Sequence, residues 1–235
     1  MGFLGFAKWQ TKPEAIIEGL GEEWRLTRQI MKLYTCCNIS HSSVYGLLDQ
    51  MGRYHFKAED ISEINIEGQL SHVSEPKHEK WNPETVKQCQ FSLPYTVAVA
   101  AYQGDVFMHS FTPEVRADPK IRELMTRIFV KSDPNVPFWG ARITTTLING
   151  KQYSKEYLEI KGHPQNPLGE KDIIAKFKKC VPYCACELKD DVVNFIIEAV
   201  LSLDTVDDVV DVILRPITPG RTDRSKEKIY VLPSY

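Results

Sequence analysis

Ala141-Arg142-Ile143-Thr144-Thr145-Thr146-Leu147-Ile148-Asn149-Gly150-Lys151-Gln152-Tyr153-Ser154-Lys155-Glu156-Tyr157 consists of two extended runs joined by Asn-Gly. Both residues of that pair tolerate the positive φ of a tight two-residue turn, and the flanking runs are rich in β-branched and aromatic residues. The expectation is a hairpin of strands 141–147 and 152–160. Asp60 to Glu67 alternates apolar and polar residues as a half-buried strand does, and Ile128 to Lys131 reads as another. Between these strands the period changes to that of helices. Asn82-Pro83-Glu84-Thr85 opens one. Ser92-Leu93-Pro94 caps a second, Tyr95 to Tyr102, which is apolar on nearly every face and closed by Gly104. Asp118-Pro119 starts a third, to Met125.

The flanks are helical as well. Val44, Leu47, Leu48 and Met51 share one face of a helix over 42–54, with Ser42 or Ser43 suited to its cap. Pro13 to Gly21 reads as a short helix, Trp24 to Tyr34 as an extended segment and Ser71 to Trp81 as a loop. Helical patterns return over Lys171 to Leu214, and 221–228 is a charged tail. The fold class is therefore α+β. Residues 57–162 form a small α+β module between helical segments at 1–56 and 163–220, with a tail at 221–235. Helices on both sides are the pattern of an insertion into a helical domain. The helices at 95–102 and 192–200 are apolar on most faces, which predicts exposed apolar surface and association into oligomers.

Composition narrows the function. The chain has 235 residues, a formal net charge of −2, 43% hydrophobic and 26% charged residues. That balance lacks the basic field of a nucleic-acid binder. No apolar run reaches the roughly 20 residues that span a bilayer. Met1 to Ala7 is apolar but lacks the basic flank and length of a signal peptide, so a cytoplasmic location is expected. Six cysteines in a chain of this size without a secretory signal read as reduced thiols. Cys180-x3-Cys184-x-Cys186 lacks paired CxxC knuckles and a histidine at ligand spacing, so no metal site is expected.

Three residues stand where chemistry could occur. Lys32 precedes Leu33-Tyr34-Thr35-Cys36-Cys37, and His41 lies nine residues on, at the start of the 42–54 helix. A lysine near a helix N-terminus favours an anion, because positive charge and backbone N–H groups converge. Tyr95 follows Pro94 at the head of the apolar helix, where a phenol can donate a hydrogen bond or a proton into a cleft. Taken singly, each also reads as an ordinary surface, capping or core residue.

The combination resembles the MmgE/PrpD family, which includes 2-methylcitrate dehydratases and cis-aconitate decarboxylases. The resemblance rests on Lys32-Leu33-Tyr34-Thr35-Cys36-Cys37 with His41 and on Gln90-Phe91-Ser92-Leu93-Pro94-Tyr95-Thr96-Val97-Ala98. Asp118-Pro119-Lys120-Ile121-Arg122 before Ile128-Phe129-Val130 also matches, as does Gly162-His163-Pro164-Gln165-Asn166-Pro167-Leu168 before Lys176-Phe177. It implies a large helical domain with an inserted α+β lid, of which this chain supplies the end of the first helical segment, the lid and the returning helices. It also implies that Lys32 contacts substrate carboxylates from the lid hinge, that Tyr95 is the lid tyrosine of the active site, and that His41 lies at a substrate-binding position. The family needs no metal or organic cofactor. Its proton-transferring Asp and His and a further substrate lysine sit in the N-terminal helical segment and have no counterpart here. A proline usually follows the aromatic of the lysine motif, whereas this chain has Thr35, which alters the turn.

Two functions follow. One is a lyase polypeptide acting on citrate- or aconitate-type di- and tricarboxylates, as a homo-oligomer or with a helical N-terminal partner that supplies the acid and base. The other is a non-catalytic homologue that binds or heterodimerises.

Overall fold

The computed structural model describes residues 13–184 and 187–218. Its sheet is built on β1 (Ile61–Gly68), with β2 (Ile128–Ser132), β3 (Ala141–Leu147) and β4 (Gln152–Tyr157) in the order β2-β1-β3-β4. β1 pairs parallel with β2, placing Ile64 opposite Ile128, and antiparallel with β3, placing Ile66 opposite Ile143. A register irregularity between Ile61 and Glu63 shifts the phase of β1, so Ile61, Ile64 and Ile66 are all buried despite their odd spacing. The β3–β4 hairpin closes at Asn149-Gly150, where Gly150 takes the required φ of 82°. β4 stops at Tyr157, short of the expected Ile160, because Tyr157 pairs with Ala141, the first residue of β3.

The helices are α1 (His41–Tyr54), α2 (Ser71–Ser74), α3 (Lys77–Lys80), α4 (Val86–Gln90), α5 (Leu93–Gln103), α6 (Pro113–Ala117), α7 (Pro119–Thr126), α8 (Glu170–Cys180) and α9 (Asp190–Leu201). The parallel connection from β1 to β2 runs through α2 to α7. The chain divides into two compact units, residues 1–167 and residues 168–235.

In the first unit α5 is the central core element. Ser92 accepts the Tyr95 N–H at 3.2 Å as N-cap, and Gly104 ends the helix at φ 70°. Every residue from Leu93 to Ala101 is buried. α1, α7 and the short helices pack around α5, so the exposed surface expected here is absent. Burying a Val or Leu side chain contributes about 1.5–3 kcal/mol, and α5 supplies several.

α1 lies on β3 and β4 and fits there because residue 46 has no side chain. A Cβ on Gly46 would stand 2.2 Å from Ile143 Cδ1 and 2.6 Å from the Tyr157 ring. One turn on, buried Gln50 donates to the Ile143 carbonyl at 3.0 Å and accepts from Thr145 Oγ1 at 2.7 Å. That bond lets Thr145 sit on the buried face of β3. Asp49 accepts from Tyr157 at 2.8 Å and pairs with Lys155 at 3.1 Å. On the opposite face of the sheet, Arg142 bridges Glu156, Glu67 at 2.8 Å and Asp133 at 3.3 Å.

Three local expectations change. α1 starts at His41, and neither Ser42 nor Ser43 caps it; Ser42 donates instead to the Trp139 carbonyl. Trp24 to Tyr34 is a 3-10 turn at Arg25–Arg28 followed by irregular backbone, which binds isolated carbonyls rather than a partner strand. Ser71 to Trp81 folds into the single turns α2 and α3, held by fully buried Val73 and by a Trp81 indole bond to the Met125 carbonyl.

In the second unit Val193, Ile196 and Ala199 of α9 are buried, while Phe195, Val200 and Leu201 remain largely exposed. Ile173, Ile174, Phe177, Ile196, Val200 and Leu201 line an apolar groove of about 160 Å³. The charged tail lies outside the described residues. No described helix is long and apolar enough to cross a membrane.

Gly46→Ala is expected to lower stability by about 1–3 kcal/mol through overpacking, read as a shifted urea midpoint; an unchanged midpoint would refute the close approach of α1 to the sheet. Burial raises the Asp49 carboxyl, but bonds from Tyr157, Lys155 and Arg53 outweigh it and hold the pKa below its ordinary 3.8. A depressed folded pKa contributes stability that is complete above the unfolded value and lost as pH falls through the folded one. Asp49→Asn should therefore flatten the acid side of the stability–pH curve below about pH 5, and a curve parallel to wild type would contradict this.

Candidate functional site

Residues 31–40 form a strap whose backbone is bound at several points. Met31 N–H donates to the Gly162 carbonyl at 2.9 Å, Thr35 N–H to Val106 at 3.0 Å and Cys37 N–H to Gln90 at 3.0 Å. The last bond joins the two sequence motifs, because Gln90 immediately precedes Phe91-Ser92-Leu93-Pro94-Tyr95. A 3-10 turn at Asn38–Ser40 then leads into α1.

Lys32 lies on the exposed side of this strap, and its ammonium donates to the Cys36 carbonyl at 3.0 Å, closing the loop on itself. Tyr34 is buried and meets the His41 ring edge-on, with centroids 5.3 Å apart. Burial, reinforced by Cys36 and Tyr45, pushes the Tyr34 phenol well above its ordinary pKa. Burial and neighbouring Cys37 push the Cys36 thiol up to about 12, against the opposing charge of Lys32. Cys36 is thus a neutral packing group at neutral pH rather than a nucleophile. His41 is buried at the first position of α1.

Tyr95 is fully buried, and its hydroxyl donates to the Ser110 carbonyl at 2.6 Å. The Ser110 hydroxyl in turn donates to Gln103 Oε1 at 2.6 Å and accepts the Phe107 N–H at 3.0 Å. Tyr95 therefore holds the Met108–Phe111 turn against the end of α5. Burial raises its phenol, with Cys89 adding and Arg122 and Arg116 opposing. The structure brings His41 against Tyr34 and Lys32 against Cys36, and anchors Tyr95 to Ser110.

Several contributors carry no sequence signal of their role. Tyr34 reads as a motif aromatic, and only its fold position makes it the neighbour of His41. Arg122 and Arg116 resemble free cations, yet Arg122 binds the Pro83 and Arg116 carbonyls at 2.7 and 2.8 Å, and Arg116 binds the Phe111 carbonyl at 3.1 Å. Ser40 to Ser43 is polar in sequence and fully or nearly fully buried in the fold.

Among the described residues, no three His, Cys, Asp or Glu side chains are grouped to hold a metal ion. Cys184 Sγ lies 4.0 Å from the Cys180 carbonyl, and Cys186 falls outside the described residues.

Residues 34–202 match the MmgE/PrpD C-terminal domain, a range that includes His41 and Tyr95 and begins two residues after Lys32. The chain is also similar to cis-aconitate decarboxylase of Mus musculus, with 24% identity over 130 residues. That alignment covers 54% of this chain and 26% of the mouse protein, so the chain spans about a quarter of its relative's length. The α+β sheet, the joined Lys32 and Tyr95 motifs and a domain match over most of the chain agree: this chain belongs to the MmgE/PrpD family.

Proposed function

We propose that this chain is the lid-bearing part of a cofactor-independent lyase that dehydrates or decarboxylates citrate- or aconitate-type polycarboxylates. It would resemble 2-methylcitrate dehydratases and cis-aconitate decarboxylases in this respect. The carrying observation is the bond from Cys37 N–H to the Gln90 carbonyl, which seats the strap of Lys32 and His41 on the head of the Tyr95 motif. Residues 57–162 are the lid, and 1–56 and 163–220 belong to a helical domain. Its remaining helices, carrying the acid and base, are supplied from outside these 235 residues, as a helical partner in the cytoplasm would supply them. The apolar groove between α8 and α9 is the kind of surface such helices cover.

Dehydration takes a proton from the carbon beside a carboxylate and expels a β-hydroxyl; decarboxylation loses carbon dioxide and then protonates the resulting carbanion. Both build negative charge on the remaining carboxylates, and fixed donors stabilise it. Lys32 clamps one carboxylate by exchanging the Cys36 carbonyl for it. His41 is the second substrate-binding residue, buried at the start of α1 beside the Lys32 strap. Tyr95 donates its proton after giving up the Ser110 carbonyl.

The Ser110 bond also favours a second reading, in which Tyr95 is purely structural and the chain is a non-catalytic homologue that heterodimerises with a complete enzyme. Incubation with cis-aconitate and with 2-methylcitrate, alone and with a helical partner, separates the two. Turnover is expected only with the partner, and turnover by the chain alone would refute the need for one. Lys32→Ala should lower kcat/KM by about 10–100-fold, the worth of a charge-assisted bond; an unchanged value removes the clamp role. A tight complex with no turnover on either acid favours the second reading.

Tyr95→Phe removes only the hydroxyl. Its loss from Ser110 should cost about 1–2 kcal/mol of stability in either case. A fall in kcat of more than about tenfold at unchanged KM would mark proton donation, and a lowered Tm with kcat preserved would mark a structural role alone.

A further inference from the structure

Among the described residues, the buried serine and threonine hydroxyls are hydrogen-bonded with two exceptions, and both exceptions fall on one helical turn. Ser42, Ser74, Ser92, Thr96, Ser110 and Thr145 are buried and each has a hydrogen-bond partner. Ser40 and Ser43 are fully buried, and neither hydroxyl has one. The Asn38 side-chain oxygen, just before them, is buried without a partner as well. A buried hydroxyl that gives up water for nothing is a net loss on folding, so two of them three residues apart on one turn call for a role outside the folded chain's own bonding.

Their place indicates the role. Ser40 ends the Asn38–Ser40 3-10 turn that runs directly into α1, and Ser43 is the third residue of α1, so the pair sits on the first turn of the helix. There the Ser40 and His41 N–H groups already donate to the Cys37 and Asn38 carbonyls, and the hydroxyls are the donors left over. No side chain caps this 14-residue helix, and its first turn carries no acidic residue. The dipole at that end therefore stands without an internal negative group. Asn38 presents its NH2 in place of its oxygen by a half-turn of the amide, which adds a donor. Asn38 and Ile39 are only half-buried, so the turn lies close to the surface. Hydroxyl and amide donors carry no charge to neutralise, and two hydroxyls on one turn suit a planar oxyanion with two acceptor atoms.

We infer that the first turn of α1 is a carboxylate-binding subsite in which Ser40 and Ser43 donate to one carboxylate of a polycarboxylate, a group separate from the one clamped by Lys32. The inference rests on the polycarboxylate reading above and names binding residues which that reading leaves open.

Binding of citrate to the full chain, with its helical partner where one is needed, tests it by calorimetry on wild type, Ser40→Ala, Ser43→Ala, the double variant and Lys32→Ala. Alanine favours helix and removes the orphaned hydroxyl, so the double variant is expected to unfold at higher urea than wild type while binding citrate at least about tenfold more weakly. Ser43→Thr, which keeps a hydroxyl, should recover part of the affinity. If the double variant binds citrate as wild type does while Lys32→Ala weakens it, the polycarboxylate reading survives and the subsite is refuted; the hydroxyls then hold only water. Inorganic phosphate bound as tightly as citrate, and weakened equally by the double variant, would refute a carboxylate-specific subsite. If wild type binds no citrate, both the subsite and the polycarboxylate reading fail.

Discussion

The contact of α1 with the β3–β4 hairpin is the constraint on which the rest of the first unit depends. Gly46 lets the helix backbone reach the Ile143 and Tyr157 side chains, and a methyl group there has no room. Gln50 then satisfies the Ile143 carbonyl and the buried Thr145 hydroxyl together. Asp49 ties the hairpin's outer end through Tyr157 and Lys155. The close approach sets the height of α1 over the sheet, and so sets where its N-terminus and the strap before it lie.

The strap has no regular structure of its own and relies on borrowed carbonyls. Gln90 ends α4 and Val106 lies just past the C-cap of α5, and their carbonyls fix Cys37 and Thr35 by single backbone bonds. A segment held this way keeps Lys32 at the surface while Tyr34, Cys36 and Cys37 are buried beneath it. The raised Cys36 and Tyr34 pKa values express the same dryness, since burial is the first cause of each.

Tyr95 meets a structural demand that any functional use of its hydroxyl has to displace. Its hydroxyl closes the Met108–Phe111 turn through Ser110, and it stands one bond from releasing that turn. A tyrosine buried without such an acceptor would destabilise α5. The Ser110 carbonyl therefore secures the fold, and any proton donation by Tyr95 requires a better acceptor to displace it.

Period and punctuation made much of this architecture legible in the amino acids alone. The Asn149-Gly150 hairpin, β1, β2, the Ser92 and Asp118 caps and the wholly apolar α5 follow from local rules, because turn φ values, caps and side-chain alternation depend on near neighbours. The motifs around Lys32 and Tyr95 were likewise enough to point to the family. Long-range partnerships were not legible. Ser42 reads as a cap and instead binds Trp139, ninety-seven residues away; Tyr34 becomes the edge partner of His41; α5 finds its cover within its own unit. The polar run Ser40 to Ser43 is the clearest case: its composition suggests exposure, and it is buried because α1 is pressed onto a sheet whose strands lie far along the chain. Local chemistry specifies which elements form, whereas burial and hydrogen-bond partnership depend on which surfaces meet once they pack.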